Sequence, residues 1–258
     1  MSRKPYATDF TDHQWELLEA LIPPAKPGGR PRQVDIREVC NGMAYLLRAG
    51  CAWRLLPHDF PPWQTVYYYF RRWHKDTTWN TIHSVLHGGL RAAEGRAEEP
   101  SAAILDSQSV KTTNQGGAHG YDAGKKVNGR KRHILVDTMG LLLCVVVTSA
   151  AIQDRDGAKL VLGKAKQLWS RLLLVWADGA YGGELIAWVQ RCCGWVLQTI
   201  LRPVGIKGFV LLPRRWVVER TFAWLGRFRR LSKDYEYLTS TSEAMITVAM
   251  IHVMLRRL

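Results

Sequence analysis

The sequence contains few cysteines, and their spacing matches no common structural or redox motif. The five are Cys40, Cys51, Cys144, Cys192 and Cys193. No pair has the two-residue separation of a zinc ribbon, and an odd number does not suit a framework of disulfides. The pattern argues against both, and we expect reduced thiols that mostly pack in the interior.

Long apolar runs are also absent from the sequence. No uninterrupted stretch reaches the roughly 18 to 20 residues of a membrane span, and residues 1–9 contain no apolar signal-peptide region. We find no internal repeat and no low-complexity tract. The 258 residues are 47% hydrophobic, which suits one large or two modest domains with a substantial core. We therefore expect a globular protein of the cytoplasm.

Acidic residues are scarce relative to basic ones, with 22 Asp and Glu against 36 Lys and Arg and a net charge of +14. The excess is uneven: residues 1–99 carry 13 basic against 11 acidic side chains, and residues 100–258 carry 23 against 11. A basic surface attracts polyanions and binds them in a salt-dependent way. Ribosomal and membrane-surface proteins share this property, so charge alone selects no function.

Three carboxylates lie where the local sequence gives them no obvious structural role. Asp106 follows the apolar residues 101–105, and Asp178 follows the apolar residues 172–177, so each ends a predicted buried strand. The glycine-rich residues after Asp178 allow a sharp turn out of the sheet. Glu219 lies in a basic stretch with apolar residues at helical spacing. Two strand ends and a helix packed on the sheet would allow the three to converge.

Converging carboxylates suit phosphoryl transfer with two metal ions. Hard oxygen ligands hold Mg²⁺ or Mn²⁺ ions about 3.5 to 4 Å apart in such sites. Without a metal the cluster would repel itself. The predicted chemistry is in-line displacement at phosphorus by water or by a DNA 3′-hydroxyl.

Four motifs extend this pattern over almost the whole chain. They are Ile-Leu-Asp-Ser-Gln-Ser-Val-Lys (104–111), Gly-Arg-Lys-Arg-His-Ile-Leu-Val-Asp-Thr-Met-Gly-Leu-Leu (129–142), Ala-Asp-Gly-Ala-Tyr-Gly (177–182), and Val-Val-Glu-Arg-Thr-Phe-Ala-Trp-Leu (217–225) continuing to Arg-Arg-Leu-Ser-Lys-Asp-Tyr-Glu (229–236). Together they resemble the DDE transposases of small bacterial insertion sequences, specifically the insertion sequence five family. Asp106, Asp178 and Glu219 match that family's two Asp and one Glu.

The resemblance implies an α/β fold, with a ribonuclease H-like catalytic domain that has a mixed sheet flanked by helices. It implies that Asp106, Asp178 and Glu219 are catalytic and hold two Mg²⁺ ions, for which Mn²⁺ substitutes. The implied substrate is double-stranded DNA, cut at the ends of the element and joined through its 3′-hydroxyl to target DNA. Acting on two ends implies a homodimer or a larger assembly on DNA.

One signature of related transposases is incomplete here. Arg215 and Glu219 fit it, whereas its Tyr position holds Leu212 and its Lys position holds Gly226. A basic role at the Lys position would pass to a neighbour such as Arg227 or Arg230. Arg230 lies eleven residues after Glu219, and on an ideal helix this spacing returns to nearly the same face. We therefore expect this helix to contact DNA through its basic side chains, which are Arg215, Arg220, Arg227 and Arg230.

The first 95 residues are predicted to form a small all-α domain. Thr11 and Asp35 are helix caps, and Gly50 is a helix stop. A third helix begins near Trp63 and is compatible with a helix-turn-helix that binds element ends through the polar positions Gln64, Tyr68, Arg71 and Arg72. The alternative is that the apolar positions of this helix simply form a core stripe.

Residues 96–101 are charged and punctuated by glycine and proline, which indicates a linker before the catalytic domain at 102–258. Three strands, with a hairpin turn near Asp137, are predicted to precede a helix, a strand, a second helix and a further strand. This order agrees with a ribonuclease H-like sheet. Residues 242–258 are predicted to form an amphipathic helix that covers it.

A basic, glycine-rich segment between the first two predicted strands is a second candidate DNA contact. As a flexible loop it would hold the DNA backbone beside the metal ions, and the alternative is a solvated hairpin. Its basic residues are Lys125, Lys126, Arg130, Lys131 and Arg132.

Weaker candidate ligands are Asp137, Asp154 and Asp156, for which turn or cap chemistry is the stronger interpretation. His119 and His133 have no zinc spacing and do not suit a hard-oxygen site.

Two other functions remain open from the sequence. A structure-specific nuclease would use the same carboxylates without strand transfer. A DNA-binding protein without catalysis, such as a decayed transposase repressing its own promoter, would use the N-terminal helices alone.

Overall fold

The structure, a computed structural model, describes residues 3–25, 27–28, 31–201 and 214–258. The helices in these ranges are α1 (Asp12–Glu19), α2 (Ile36–Ala49), α3 (Trp63–Lys75), α4 (Thr78–Ala93), α5 (Asp154–Leu168), α6 (Glu184–Cys193), α7 (Trp216–Gly226) and α8 (Thr239–Leu255). The strands are β1 (Ala102–Lys111), β2 (Gly120–Asp122), β3 (Val127–Asp137), β4 (Leu142–Ser149), β5 (Leu174–Asp178) and β6 (Val196–Ile200).

The predicted helix boundaries in the first half of the chain are confirmed by their caps. Thr11 and Gln14 form a reciprocal capping box at the start of α1. The side chain of Asp35 accepts hydrogen bonds from the first amides of α2. Gly50 ends α2 at a φ of 74°, a left-handed conformation that favours glycine.

The strands form one mixed sheet in the order β2-β3-β1-β5-β6, with β4 paired to β3. β1 and β3 are antiparallel, whereas β5 is parallel to both β1 and β6. Helices flank the sheet, so the predicted ribonuclease H-like α/β architecture is confirmed. The basic, glycine-rich segment that was expected to be a flexible loop instead contains β2 and the start of β3 at Val127.

The two faces of the sheet pack against different helices. Ala103 and Leu105 of β1 belong to a core shared with α5 and α6. Ile104 of β1 and Trp176 of β5 belong to the other core, with α7, α8 and the N-terminal helices. Because side chains alternate along a strand, Asp106 and Asp178 project toward this second face.

Helix α8 differs from the amphipathic helix expected from the sequence. From Ser242 to Leu255 every side chain except Glu243 and Val253 is buried. The helix packs against α4 on one side and β4 on another, with α2 and α7 also in contact. It therefore lies in the interior, between the N-terminal helices and the sheet.

The N-terminal helices and one face of the sheet share a continuous hydrophobic core. A buried ion pair between Arg91 of α4 and Asp137 at the end of β3 links the same two parts at 2.5 Å. The division at residues 96–101 stays a prediction. None of the helices in the described ranges is both long and apolar enough to cross a bilayer.

Candidate active site

Strand register brings two of the predicted carboxylates together. Ile104 of β1 pairs with Trp176 of β5, so continuing this parallel register by two residues places Asp106 opposite Asp178. β5 ends at Asp178, whereas β1 continues to Lys111. The two carboxylates therefore lie side by side where the neighbouring strands separate.

The two aspartates influence each other electrostatically. Burial is the largest cause that raises the pKa of Asp106 to about 6, and the negative charge of Asp178 raises it further. The Ser107 backbone N–H, which donates to Asp106 Oδ1 at 2.7 Å, acts in the opposite direction, as do Arg215 and Lys125. The site thus holds like charges at close range.

Asp178 is held by its own turn and faces a cation. Its Oδ1 accepts a hydrogen bond from the Ala180 amide at 2.8 Å and caps the 3₁₀ turn at residues 179–181. Its Oδ2 lies 3.7 Å from Nη2 of Arg215, the residue that precedes α7. Arg215 therefore lies beside the two carboxylates.

Glu219 is exposed on the first turns of α7, and α7 packs against β1. It follows Arg215 by four residues, a spacing that puts two side chains on the same helix face. Within the ranges that the structure describes, no three acidic, His or Cys side chains form a group spaced to hold a metal. Two predicted ligands are thus adjacent, and Glu219 lies on the neighbouring helix. Leu212 lies outside the described residues.

The chemistry of Asp106 and Asp178 fits a hard divalent cation. Their oxygens are the ligands that Mg²⁺ and Mn²⁺ prefer. Burial, and to a smaller extent the charge of Asp178, raise the pKa of Asp106, and a bound cation relieves both of these costs. A positive group, Arg215, already lies next to Asp178.

The competing candidate Asp137 has a structural role. Its Oδ1 accepts hydrogen bonds from the Met139 and Leu141 amides, each at 2.9 Å, as turn chemistry predicts. Its Oδ2 meets Arg91 at 2.5 Å and lies 3.4 Å from His87 Nε2. With its side chain fully buried, Asp137 ties the β3–β4 turn to α4.

The other weak candidates are also engaged elsewhere. Asp154 lies on the opposite side of β1, where it accepts from Ser107 Oγ and Lys131 Nζ, both at 2.9 Å. Asp156 meets Lys159 at 3.5 Å. His133 Nε2 contacts Thr148 Oγ1 at 3.0 Å, and His119 Nδ1 lies 2.8 Å from the Gly117 carbonyl oxygen.

Three of the basic residues expected in a flexible loop are instead buried in β3. Arg130, Lys131 and Arg132 are at most 4% exposed. The Arg130 guanidinium donates to Asp234 and to the carbonyl oxygens of Ala118, Glu236 and Tyr237. A buried cation must be paired, because desolvation without a partner is very costly. Their expected position in a flexible loop was therefore wrong, because all three lie in β3 and are buried.

Lys131 and Arg132 are engaged in the same way. Lys131 Nζ meets Asp122 at 3.1 Å and Asp154 at 2.9 Å. Arg132 Nη1 donates to the Leu231 carbonyl oxygen at 2.9 Å.

Lys125 and Lys126 remain exposed at the turn between β2 and β3. Lys125 Nζ donates to the carbonyl and hydroxyl oxygens of Ser107, each at 3.0 Å. This contact places a cation next to the residue that follows Asp106. Lys125 is therefore positioned at the margin of the candidate site, and Lys126 follows it in the same turn.

The arginines of the α7 region lie in different environments. Arg220 stacks between Trp216 and Trp224, with Cζ at 4.4 and 4.8 Å from the ring centroids, and donates to the Met139 carbonyl oxygen. Arg227 is exposed. Arg230 is buried against Glu236 at 2.6 Å, because α7 ends at Gly226 and a 3₁₀ turn follows. The expectation that Arg230 returns to the face of Glu219 was wrong.

Helix α3 has an exposed polar face opposite its buried one. Gln64, Tyr68 and Arg71 are exposed at intervals of four and three residues, while Arg72 is half-buried and lies 3.9 Å from Asp76. Lys75 continues the exposed row, and sequence periodicity would have identified it. The same helix buries Val66, Tyr69, Phe70 and Trp73, so the predicted core stripe is also present.

The link from α2 to α3 runs from Gly50 to Pro62 and contains a 3₁₀ turn at Trp53–Leu55. It is longer than the three or four residues of a helix-turn-helix connection. DNA contact by α3 therefore remains a prediction that rests on its exposed row.

The chain matches two family models. One, described as a transposase DDE domain, matches residues 97–254. The other, described as a putative transposase of the IS4/5 family, matches residues 10–83.

Two curated proteins of Burkholderia cepacia are also similar. An uncharacterized 16.2 kDa protein of insertion element IS402 is 32% identical over 113 residues, covering 41% of this chain and 74% of that protein. A putative transposase for insertion sequence element IS402 is 33% identical over 115 residues, covering 42% of this chain and 54% of that protein. The resemblance to insertion-sequence transposases is thereby confirmed.

Proposed function

The chain belongs to the transposase DDE domain family, and from this premise we propose that it cuts DNA at the ends of an insertion sequence and joins the freed ends to target DNA. The observation that carries the proposal is the closeness of Asp106 and Asp178: the paired parts of β1 and β5 end two residues before them, and the charge of Asp178 raises the pKa of Asp106. Two carboxylates on adjacent parallel strands, next to a basic helix, suit the hydrolysis and transfer of phosphodiesters.

In this proposal Asp106 and Asp178 hold divalent cations, Mg²⁺ or Mn²⁺, and Glu219 adds its carboxylate from α7. The family relationship favours two ions. When bound, they supply Lewis-acid stabilisation of the negative charge that develops at phosphorus. The protein contributes a fixed pair of carboxylates on rigid strands, which lowers the cost of gathering like charges.

The side chains around the carboxylates would bind and orient the substrate. Arg215, 3.7 Å from Asp178, would donate to a non-bridging oxygen of the scissile phosphate, and Lys125 lies beside Ser107, the residue that follows Asp106. During strand transfer the 3′ oxygen of the element forms a bond to a target phosphorus as the target P–O3′ bond breaks. The proton of the attacking hydroxyl goes to solvent, and no covalent bond to the protein forms.

The substrate in this proposal is double-stranded DNA, bound through several basic surfaces. The exposed row of α3 (Gln64, Tyr68, Arg71 and Lys75) would contact the element end, with Arg72 beside it. Lys125, Lys126 and Arg215 would contact phosphates nearer the carboxylates. Because an element has two ends, we infer a homodimer or larger assembly on DNA.

The first test is cleavage of labelled duplex carrying the element's own ends, with Mg²⁺, Mn²⁺ or EDTA. We expect cutting only with a divalent ion. Asp178→Asn should bind the duplex normally and lose activity by about a thousandfold or more, because it removes charge from the reacting centre. Asp156→Asn is the matched control, because Asp156 is exposed on α5 and meets only Lys159 among the described residues.

Each outcome separates the proposal from its alternatives. If Asp178→Asn cuts as well as the unmodified protein, the catalytic assignment fails. Cutting without joining of a pre-cut 3′ end to plasmid DNA would indicate a nuclease without strand transfer. Salt-sensitive binding to end DNA without any cutting would indicate a DNA-binding protein that lacks catalysis.

A further inference from the structure

Four arginines gather around a cavity that is separate from the paired carboxylates. Arg48, Arg227, Arg256 and Arg257, here called the arginine cluster, line a cavity of about 170 Å³. Its remaining lining is largely apolar and aromatic, and consists of Trp224, Phe228, His252 and Val253. The cluster joins residues from the N-terminal helices, from α7 and from the end of α8.

The arginine cluster is poorly neutralised. Arg257 lies 3.9 Å from Glu94, and Arg48 donates to the Arg227 carbonyl oxygen at 3.1 Å. The described residues offer the side chains of Arg227 and Arg256 no carboxylate or hydrogen-bond partner, and both are exposed. Burial lowers the pKa of Arg48, and the charges of Arg256 and Arg227 lower it further. The positive charges therefore repel one another.

The negative ends of three helices offset part of the positive charge of the arginine cluster, but not all of it. Arg48 lies in the last turn of α2, and Arg227 and Arg256 are the C-caps of α7 and α8. Each helix C-terminus carries roughly half a negative charge, so three of them offset about one and a half of the four positive charges. Even with Glu94 counted in full, an excess of between one and two positive charges remains.

The geometry of the cluster favours an anion with several oxygens. Arg48 Cζ lies 5.3 Å from the Phe228 ring centroid, and Arg257 Cζ lies 5.4 Å from that of Trp224. Guanidinium groups stacked on rings keep their N–H edges free for paired hydrogen bonds to phosphate oxygens. His252, 5% exposed, lines the same cavity and has no hydrogen-bond partner for Nδ1.

We propose that the arginine cluster binds the phosphate backbone of DNA at a distance from the reacting phosphodiester. The inference rests on the proposed function, since it takes DNA as the partner. Arg215 and Arg227 lie twelve positions apart, on either end of α7, a separation of about 18 Å at 1.5 Å per residue. At 3.4 Å per nucleotide this corresponds to roughly five nucleotides of one strand. A DNA strand that runs along α7 would therefore extend from the carboxylates to the arginine cluster.

The test compares two double variants that remove the same charge. Arg227→Gln with Arg256→Gln alters exposed side chains that have no described partner. The control, Lys166→Gln with Arg191→Gln, alters exposed residues of α5 and α6 on the opposite face of the sheet. Binding of a labelled random-sequence duplex is measured over a range of salt concentrations, and thermal melting establishes that each variant is folded.

We expect the cluster variant to bind more weakly and to show a salt slope shallower by about one to two units, because each phosphate contact contributes roughly 0.9. The control should keep the slope of the unmodified protein. Arg227→Lys with Arg256→Lys should restore most of the slope, since it restores the charge. Cleavage at saturating duplex should change little, because the carboxylates are intact.

Two results would overturn the inference in distinguishable ways. If the unmodified protein binds duplex but the cluster and control variants have equal slopes, the arginine cluster does not hold the backbone, and the proposed function stands. If the unmodified protein binds no duplex even at low salt, both proposals fail.

Discussion

Asp106 and Asp137 lie on adjacent strands and differ in what faces each carboxylate. Asp137 is fully buried, paired with Arg91 and bonded to two backbone amides. Asp106 accepts one amide hydrogen bond and faces the like charge of Asp178. The first arrangement stabilises the folded chain, and the second leaves a charge conflict in it.

We predict opposite effects on stability from the same substitution at these two residues. Asp137→Asn should lower the free energy of unfolding by about 3 to 5 kcal/mol, because Arg91 is left as an uncompensated buried charge. Asp106→Asn should raise it by about 1 to 3 kcal/mol at neutral pH without metal, because burial and Asp178 disfavour the charged carboxyl. Urea unfolding in EDTA measures both.

The sign for Asp106 follows from its raised pKa of about 6. The folded state disfavours ionisation, so the cost is absent below the unfolded pKa of about 4, grows as pH rises from there to about 6, and is complete above it. The gain from Asp106→Asn should therefore vanish near pH 4. Equal destabilisation by both variants at neutral pH would contradict the distinction.

At the scale of single residues, the sequence predicted the aspartates at the strand ends, because an apolar run followed by a charge is a local pattern. It could not predict the partners of Arg130, since the guanidinium binds Asp234 and Tyr237, more than a hundred residues away in the chain. Glycine-rich and basic composition favoured a loop there. Burial of the arginine depends on those distant partners.

Strand β3 connects parts of the fold that lie far apart in the sequence. Its central position between β1 and β4 buries Arg130, Lys131 and Arg132. Through Arg130 the strand holds the segment between α7 and α8 at Asp234, Glu236 and Tyr237. The strand thus positions α7 indirectly, by fixing the chain that follows it.

We predict that Arg130→Met lowers the free energy of unfolding by about 3 to 5 kcal/mol, because Asp234 and three carbonyl oxygens lose a buried donor. Chemical denaturation measures the change, and Lys126→Met, at an exposed turn residue, is the control. DNA affinity of the fraction that remains folded should not change. A stable Arg130→Met protein with weakened DNA binding would contradict this structural role and favour a direct contact between Arg130 and DNA.

The caps of α1 and α2 were predictable because the signals at Thr11, Asp35 and Gly50 are local. The existence of helix α8 was also predictable, but its burial on nearly every side was not. Its sequence suggests one apolar face, yet α4 and β4 cover different sides of it. How many neighbours surround a helix is decided by tertiary packing, which periodicity does not contain.

At the scale of the whole molecule, three of the buried histidines in the described ranges, His83, His133 and His252, are held neutral. Burial is the main cause that lowers the pKa of His83 to about 3 and those of His133 and His252 to about 4. All three are at most 7% exposed. The unfolded chain therefore binds more protons than the folded one as pH falls below about 6.5.

We predict that acid destabilises the protein within this window. Each of these histidines contributes stability that is complete above about pH 6.5 and is lost as pH falls toward 4, about 2 kcal/mol each at pH 5. Urea midpoints at about pH 7.5 and 5 measure the loss. His133→Gln should remove about one third of the histidine contribution, and His58→Gln, at an exposed residue, should not alter it. An unchanged midpoint would refute the prediction.

The interior position of α8 has a consequence for synthesis on the ribosome. Every element that α8 covers is translated before it, so the nascent chain carries the unfilled space between α4 and β4 until residues 239–255 emerge. Growth at roughly 5 to 20 residues per second leaves this apolar surface open for seconds. A stop codon before residue 239 would therefore yield an aggregation-prone product rather than a partly active one. Helix α8 therefore completes the hydrophobic core, and the preceding chain cannot reach its folded state without it.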